Sequence, residues 1–295
     1  MPAEFEFLDW IRGQQRSGGL VRLAAGDDMA VLGWPGDELL LVGTDQVLDG
    51  VHFDSAVHTP RQIGRKVMNR NLSDCAAMAC VPAGALATVA LKRGSSADYA
   101  KELYLGLREA ADAFDCPIIG GDTAAWEQKL VISVTILGRS AGIAPITRKG
   151  ARAGDGIYVT GPLGGSILGR HMDFIPRIAE GRILGQSGVV TAMIDLSDGL
   201  SRDLRHICKQ SAVGAEIDAA AMPIHSDAET LSRQSGRPAL EHALHDGEDH
   251  ELLFTASTPP PLGIRIGVIT RSPTIMLKQG DRVAPLEAEG WEHRW

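Results

Sequence analysis

The sequence predicts a chain of two α/β halves, and three observations carry that prediction. Short, β-branched apolar runs alternate with longer helical patterns over the first 140 residues. Between Ala141 and Gly154 the chain turns rich in glycine, proline and basic residues, as a linker does. Beyond it the alternation of strand and helix patterns starts again. The expected division is 1–140 and 141–295.

The elements follow in order. Residues 4–17 place Phe5, Leu8 and Ile11 on one face, which predicts a first helix. Asp37–Gln46 (DELLLVGTDQ) is a short apolar run with a polar end, the pattern of a buried strand. Pro60 opens a helical pattern reaching about Met78, with Ile63, Val67, Met68, Leu72 and Ala76 on its apolar face, and Pro82 is expected to end it. A strand at Gly84–Leu91 and a helix at Ser96–Phe114 follow. Ile118–Ile119 then leads into Gly120-Gly121-Asp122, and Leu130–Gly138 alternates as a strand should. In the second half Gly156–Thr160 predicts a strand, and Gly161–Gly169 a glycine-rich turn entering a helix. Ala192–Asp195, Ala215–Ile217, Glu251–Thr255 and Arg265–Ile269 predict strands; Leu200–Gln210 and Ala239–Ala243 predict helices.

Composition narrows the function. The 295 residues are 44% hydrophobic and 22% charged, a balance that excludes a disordered chain. A formal charge of −8 argues against nucleic acid as a partner, because that needs a basic footprint. No apolar run reaches membrane-spanning length, and the start lacks the layout of a signal peptide. The four cysteines (Cys75, Cys80, Cys116, Cys208) form no CxxC pair and read as buried, reduced thiols of a cytoplasmic protein. Glycine stands out at 34 residues, against a usual share of about 7%.

Five segments deliver aspartates beside glycine or small polar residues: Gly26-Asp27-Asp28, Thr44-Asp45, Asn71-Leu72-Ser73-Asp74, Gly120-Gly121-Asp122 and Asp195-Leu196-Ser197-Asp198-Gly199. Carboxylates gathered from distant segments suit a hard cation such as Mg²⁺, and glycine beside them lets backbone N–H groups approach a phosphate. Each aspartate alone also reads as a turn or a cap. Asp74 is the hardest to read that way, since a carboxylate inside a mostly apolar helix must be paired or metal-bound. His52 follows Asp45 closely, and Asp246-Gly247-Glu248-Asp249-His250-Glu251 packs four carboxylates against an apolar strand. GxxxxGK[ST], the HRD…DFG set and GxSxG are all absent. GPLGGS reads as a tight strand-to-helix turn.

GDDMAVL, TDQVLDGVHF, IGRKVMNRNLSDCAAM, IIGGDT, TRKGARAGD, MIDLSDGLSRDL and GEDHELLFT, in this order, resemble the thiamine-monophosphate kinases of the aminoimidazole-ribonucleotide synthetase-like superfamily. The resemblance runs from about Gly26 to Trp291. It implies a homodimer of two-domain subunits, with an N-terminal ATP/Mg-binding and dimerisation half, a C-terminal half, and ATP with several Mg²⁺ ions between them. The implied reaction passes the γ-phosphoryl of ATP to thiamine monophosphate. Position by position, Asp28, Thr44, Asp45, Asp74, Asp122, Asp195 and Asp198 match metal ligands; Gly121, Asp122, Arg148 and Ser197 match ATP contacts; His52, Glu248 and Trp291 match thiamine-phosphate contacts. An acceptor that is already anionic needs no strong general base, so positioning and charge neutralisation suffice. Gly43, Gln46, Cys80 and His250 depart from the family pattern, and the stretch between Gly169 and Pro176 is shortened around His171, Pro176 and Arg177. A related ATP-dependent synthetase or small-molecule kinase, and a non-catalytic nucleotide-binding scaffold, are the alternative readings.

Overall fold

The computed structural model describes residues 21–23, 27–34, 36, 38–287 and 289–291. The helix expected over 4–17 lies outside them. The first half runs β1 (Val21–Leu23), β2 (Ala30–Gly33), β3 (Leu39–Leu48), α1 (Pro60–Ala77), β4 (Val81–Lys92), α2 (Ala97–Asp112), β5 (Ile118–Trp126) and β6 (Val131–Arg139). Its six described strands form one sheet in the order β1-β2-β3-β6-β4-β5. Among the described strands of this sheet, only β4 and β5, joined through α2, run parallel. Helix α1 starts where the sequence places it: Thr59 and Gln62 form a capping box and Pro60 supplies the pre-set first turn. Its end differs from expectation. The helix stops at Ala77, and Pro82 lies inside β4, beside a register shift between Pro82 and Gly84 that accommodates its missing N–H.

Both helices cover one face of this sheet. Ile63, Val67 and Leu72 of α1 and Leu103 and Leu107 of α2 pack on Leu41, Val47, Ile132, Val134 and Ile136. The helices cross almost backbone to backbone. A Cβ on Gly64 would lie 2.2 Å from the Leu103 carbonyl oxygen, and one on Gly106 2.1 Å from that of Arg61.

The second half runs β7 (Gly156–Val159), α3 (Ile178–Ser187), β8 (Val190–Asp195), α4 (Leu200–Ser211), β9 (Gly214–Asp218), α5 (Ser226–Ser235), α6 (Ala239–His245), β10 (Leu252–Ala256), β11 (Ile264–Thr270), β12 (Ile275–Gln279) and β13 (Arg282–Pro285). The strands form a sheet in the order β13-β12-β9-β11-β7-β10-β8, antiparallel except for β9 and β12. After Gly165 the chain makes two 3₁₀ turns, Ser166–Leu168 and Arg170–Met172, in place of the expected helix. Sequence periodicity does not reveal α5, of which only Ala228 is buried.

A third apolar cluster joins the halves. Ala76, Ala77 and Ala79 at the end of α1 meet Met193, Leu252 and Phe254 of the second sheet and Leu184 of α3. A Cβ on Gly181 of α3 would lie 2.3 Å from the Ala76 carbonyl oxygen. Helix α1 is therefore buried from both sides, which carries Ser73 and Asp74 to the junction of the two sheets. All four cysteines are buried and free. Among the described residues no helix is long and apolar enough to cross a membrane.

Candidate active site

Three aspartates from the two halves converge at this junction. Oxygens of Asp28, Asp74 and Asp195 all lie within 4.8 Å of one another. Asp28 follows β1, Asp74 sits in the last turn of α1, and Asp195 ends β8. Burial drives Asp74 well above the usual carboxylate range, and the charges of Asp45, Asp195 and Asp28 push it further. Burial also raises Asp28, to about 7, although Arg148 opposes the rise. Asp195 alone falls below its ordinary value: burial would raise it, but His250 and the Ser73 hydroxyl, which donates to Oδ2 at 2.5 Å, hold it down. Three enclosed carboxylates this close cannot all ionise unaided. An all-oxygen donor set that resists full ionisation fits a hard divalent cation.

Arginine and lysine balance the rim. Arg148, from the segment between the sheets, donates Nη2 to Asp28 Oδ1 at 2.9 Å and Nε to Oδ2 at 3.2 Å, while its backbone N–H donates to Asp27. On α1, Lys66, Arg70 and Asp74 recur every fourth residue, so they share a face. Lys66 is fully enclosed and donates to Glu248 Oε2. Arg70 donates Nη1 to Glu248 Oε1 at 2.7 Å and Nε to Asp45 Oδ2 at 3.2 Å. Burial would raise Glu248, but Lys66 and Arg70 outweigh it and bring the carboxyl down to about 2. Burial pushes Lys66 down to about 8 against the pull of Glu248.

Glu248 points into the site because its loop is held in an uncommon shape. Glu248 and His250 both adopt positive φ (62° and 51°), which a β-carbon disfavours. The neighbouring carboxylates fix that shape. Asp249 accepts from Gly164 N and Arg170, Asp246 from Gly165 N, and Glu251 from Thr160 and Arg177. The acidic run is thus a set of loop anchors with one member, Glu248, turned inward. His250 stacks on Phe174 with ring centroids 4.0 Å apart and places Nδ1 3.3 Å from Asp195 Oδ2.

A cavity of about 1100 Å³ opens beside this network. His52 and Arg70 line it from the first half; Ser197, Asp198, Glu248 and Trp291 line it from the second. His52 accepts from Leu48 N at Nδ1, which leaves Nε2 as its N–H donor. Trp291 is pinned through its backbone N–H to the Asp198 carbonyl at 3.0 Å. The three residues matched to the acceptor therefore share one cavity with two matched to nucleotide and metal.

Thr44, Gly121 and Asp122 stand elsewhere. Successive strand residues point to opposite faces, so Asp45 reaches Arg70 while the Thr44 hydroxyl turns away, donating to the Val134 carbonyl and accepting from Thr135. Asp45 and Asp122 also lie within strands rather than on turns. Asp45, Val134, Ala87 and Gly121 are successive register partners across β3, β6, β4 and β5. Gly121 is thus three strand spacings, roughly 14 Å, from Asp45. Gly121 and Asp122 border a second cavity of about 310 Å³ with apolar walls from β4 and α2 and Tyr104 among its lining residues. Gly43 does face the acidic cluster: a Cβ there would lie 3.6 Å from Asp74 Oδ2. Residue patterns alone missed Lys66, Arg70 and Ser73. The every-fourth-residue recurrence of Lys66, Arg70 and Asp74 was the available signal.

Comparison with known proteins adds sequence relatives to this geometry. The family model described as AIR synthase related protein, N-terminal domain, matches residues 26–140. A thiamine-monophosphate kinase of Rhodopirellula baltica is 44% identical over 258 residues, covering 85% of this chain and 81% of that protein. One from Mycobacterium tuberculosis is 33% identical over 296 residues, covering 94% and 88%. Among solved structures, AaThiL complexed with AMPPCP and TMP superposes with a TM-score of 0.87 at 28% identity, covering 99% of this chain and 97% of that one.

Proposed function

The chain belongs to the thiamine-monophosphate kinase family, and on that premise we propose that it transfers the γ-phosphoryl of ATP to thiamine monophosphate, giving thiamine diphosphate and ADP. The observation that carries this reading is the shared cavity, where His52, Glu248 and Trp291 stand beside Ser197 and Asp198 and next to the acidic cluster. A relative of the same fold, AaThiL, has been solved with AMPPCP and TMP, ligands of the kinds this reaction requires.

Asp28, Asp74 and Asp195, with Asp45 and Asp198 at their edge, are the residues that would hold Mg²⁺. Bound there, Mg²⁺ would supply the positive charge that offsets the negative charge of the phosphates. Arg148 stands against the cluster with its guanidinium oriented by Asp28, placed to clamp phosphate oxygens. Gly121 keeps β5 paired with β4, since a Cβ there would fall 1.9 Å from the Ala87 carbonyl oxygen. The apolar cavity that Gly121 borders suits the flat face of an adenine. Glu248, held ionised by Lys66 and Arg70, complements the cationic thiazolium, and Trp291 offers it an aromatic face. The acceptor phosphate is itself the nucleophile, so none of these residues has to remove a proton from a hydroxyl.

The segment to residue 140 is the nucleotide and dimerisation half in this reading, and 141–295 completes the acceptor side. The uncovered face of the first sheet, where Leu86 and Trp126 are exposed, is the surface for a second copy. Light scattering should give twice the chain mass, 62.8 kDa from two chains of 31.4 kDa. A monomer at micromolar concentration would remove that assignment. The activity is tested by ADP release with thiamine monophosphate, thiamine and amide-bearing acceptors in parallel. Release that depends on thiamine monophosphate and on Mg²⁺ is expected; release driven by an amide acceptor would place the chain among the synthetases.

A further inference from the structure

An acceptor phosphate entering the large cavity meets an electrostatic obstacle. A phosphate monoester carries close to two negative charges at neutral pH; Asp198 lines the cavity it enters, Asp45 is bonded to the lining Arg70, and the three-aspartate cluster adds further negative charge. Besides any metal held by the cluster, a cation fixed by the chain at the junction of cavity and cluster would offset that charge. Lys66 is fully enclosed and bonded to Glu248, and Arg148, bonded to Asp28, is not among the residues that line this cavity. Arg202 donates Nη2 to the Gly290 carbonyl, beside Trp291. Arg70 occupies the junction itself, bonded at once to Glu248 of the acceptor side and Asp45 of the metal side.

The bonding leaves one nitrogen of Arg70 unused. Nε serves Asp45 and Nη1 serves Glu248, while Nη2 makes no hydrogen bond among the described residues. Nη2 is also not among the enclosed polar atoms that lack a partner. It therefore faces the cavity that Arg70 lines. Two carboxylates hold the guanidinium plane from separate sides, so its orientation is set before any ligand arrives. A charged nitrogen with two N–H donors, held in place and aimed into a cavity, suits a phosphate oxygen.

We propose that Arg70 reads the acceptor's phosphate: its cavity-facing Nη2 binds the phosphate monoester and makes the site select a phosphorylated acceptor over the free alcohol. This rests on the kinase reading above and names the residue that sets its acceptor class. Arg70 is a specificity-determining contact, and Glu248 and Asp45 are its positioning residues.

The test compares binding of thiamine monophosphate and of thiamine, by calorimetry, to the wild-type chain and to Arg70→Gln and Arg70→Lys, all with Mg²⁺ and a non-hydrolysable ATP analogue. Losing a charge-assisted contact should weaken thiamine monophosphate roughly 10- to 100-fold in Arg70→Gln and weaken thiamine, which lacks the phosphate, far less. Arg70→Lys keeps the charge between the two carboxylates, guards against a folding loss, and should show a smaller loss of the same selective kind. Equal weakening of both compounds, or an unchanged preference for the phosphorylated one, in either variant overturns the proposal. A wild-type chain that binds neither compound overturns the kinase reading, and the proposal with it.

Discussion

Replacing Glu248 with glutamine separates the electrostatics of the site from its shape. The amide keeps an oxygen for Lys66 and Arg70 but removes the charge that balances two enclosed cations, one of them, Lys66, with no exposed surface. The Glu248 carboxyl falls from 4.5 in the unfolded chain to about 2 in the folded one. At about 1.4 kcal/mol per unit, that difference corresponds to about 3 kcal/mol of stability. Lys66, already pushed down to about 8 by burial, can shed its proton in the variant, which limits the loss to about 2–3 kcal/mol. A folded-state carboxyl lying below its unfolded value stabilises fully above pH 4.5. The contribution fades as pH falls toward 2. Urea unfolding of both proteins from pH 7 down to pH 3 should therefore show a gap of about 2–3 kcal/mol that narrows below pH 4.5. Equal stability at pH 7, or a gap that does not narrow on acidification, would refute the argument that Lys66 and Arg70 hold Glu248 ionised.

Other consequences follow from the same contacts. Asp74→Asn relieves repulsion among three closely spaced carboxylates, so it should raise the melting temperature without Mg²⁺, abolish the Mg²⁺-induced rise and lower turnover by on the order of 100-fold or more; a variant still stabilised by Mg²⁺ would remove Asp74 from the ligand set. His52→Ala should raise KM for thiamine monophosphate roughly tenfold with KM for ATP unchanged, and an effect confined to ATP would contradict its place in the acceptor cavity. Gly106→Ala would drive a methyl to 2.1 Å from the Arg61 carbonyl oxygen. Denaturation should show it to be less stable by about 3 kcal/mol; a neutral result would mean that the α1–α2 crossing is looser than described.

Much of the site was legible because its aspartates carry local signatures. Asp74 sits in a mostly apolar stretch of helix, and Asp195 and Asp198 flank a serine at the end of a strand. The acidic run before β10 was recognisable as unusual, yet its sequence does not say which carboxylate turns inward. That depends on positive φ at Glu248 and on Gly164 and Gly165, more than 80 residues away, whose N–H groups anchor Asp249 and Asp246. Thr44 shows the opposite failure. Its neighbour Asp45 is well placed, but strand alternation sends the threonine hydroxyl to the other face. Arg70 looks like an ordinary helical arginine until the second half supplies Glu248 as its partner. The strand and helix periods were read well where one face is buried, and poorly for α5, which buries a single alanine.

The central claim is that the acidic cluster and the His52–Glu248–Trp291 cavity form one phosphoryl-transfer site with a phosphate as acceptor. Phosphorus NMR of the chain mixed with ATP, Mg²⁺ and thiamine monophosphate tests it most directly. The account predicts that the diphosphate resonances of thiamine diphosphate grow in step with those of ADP, with no signal from phosphorylated protein. ADP accompanied only by inorganic phosphate, or no loss of ATP when a proven thiamine-monophosphate kinase turns over under the same conditions, would contradict it.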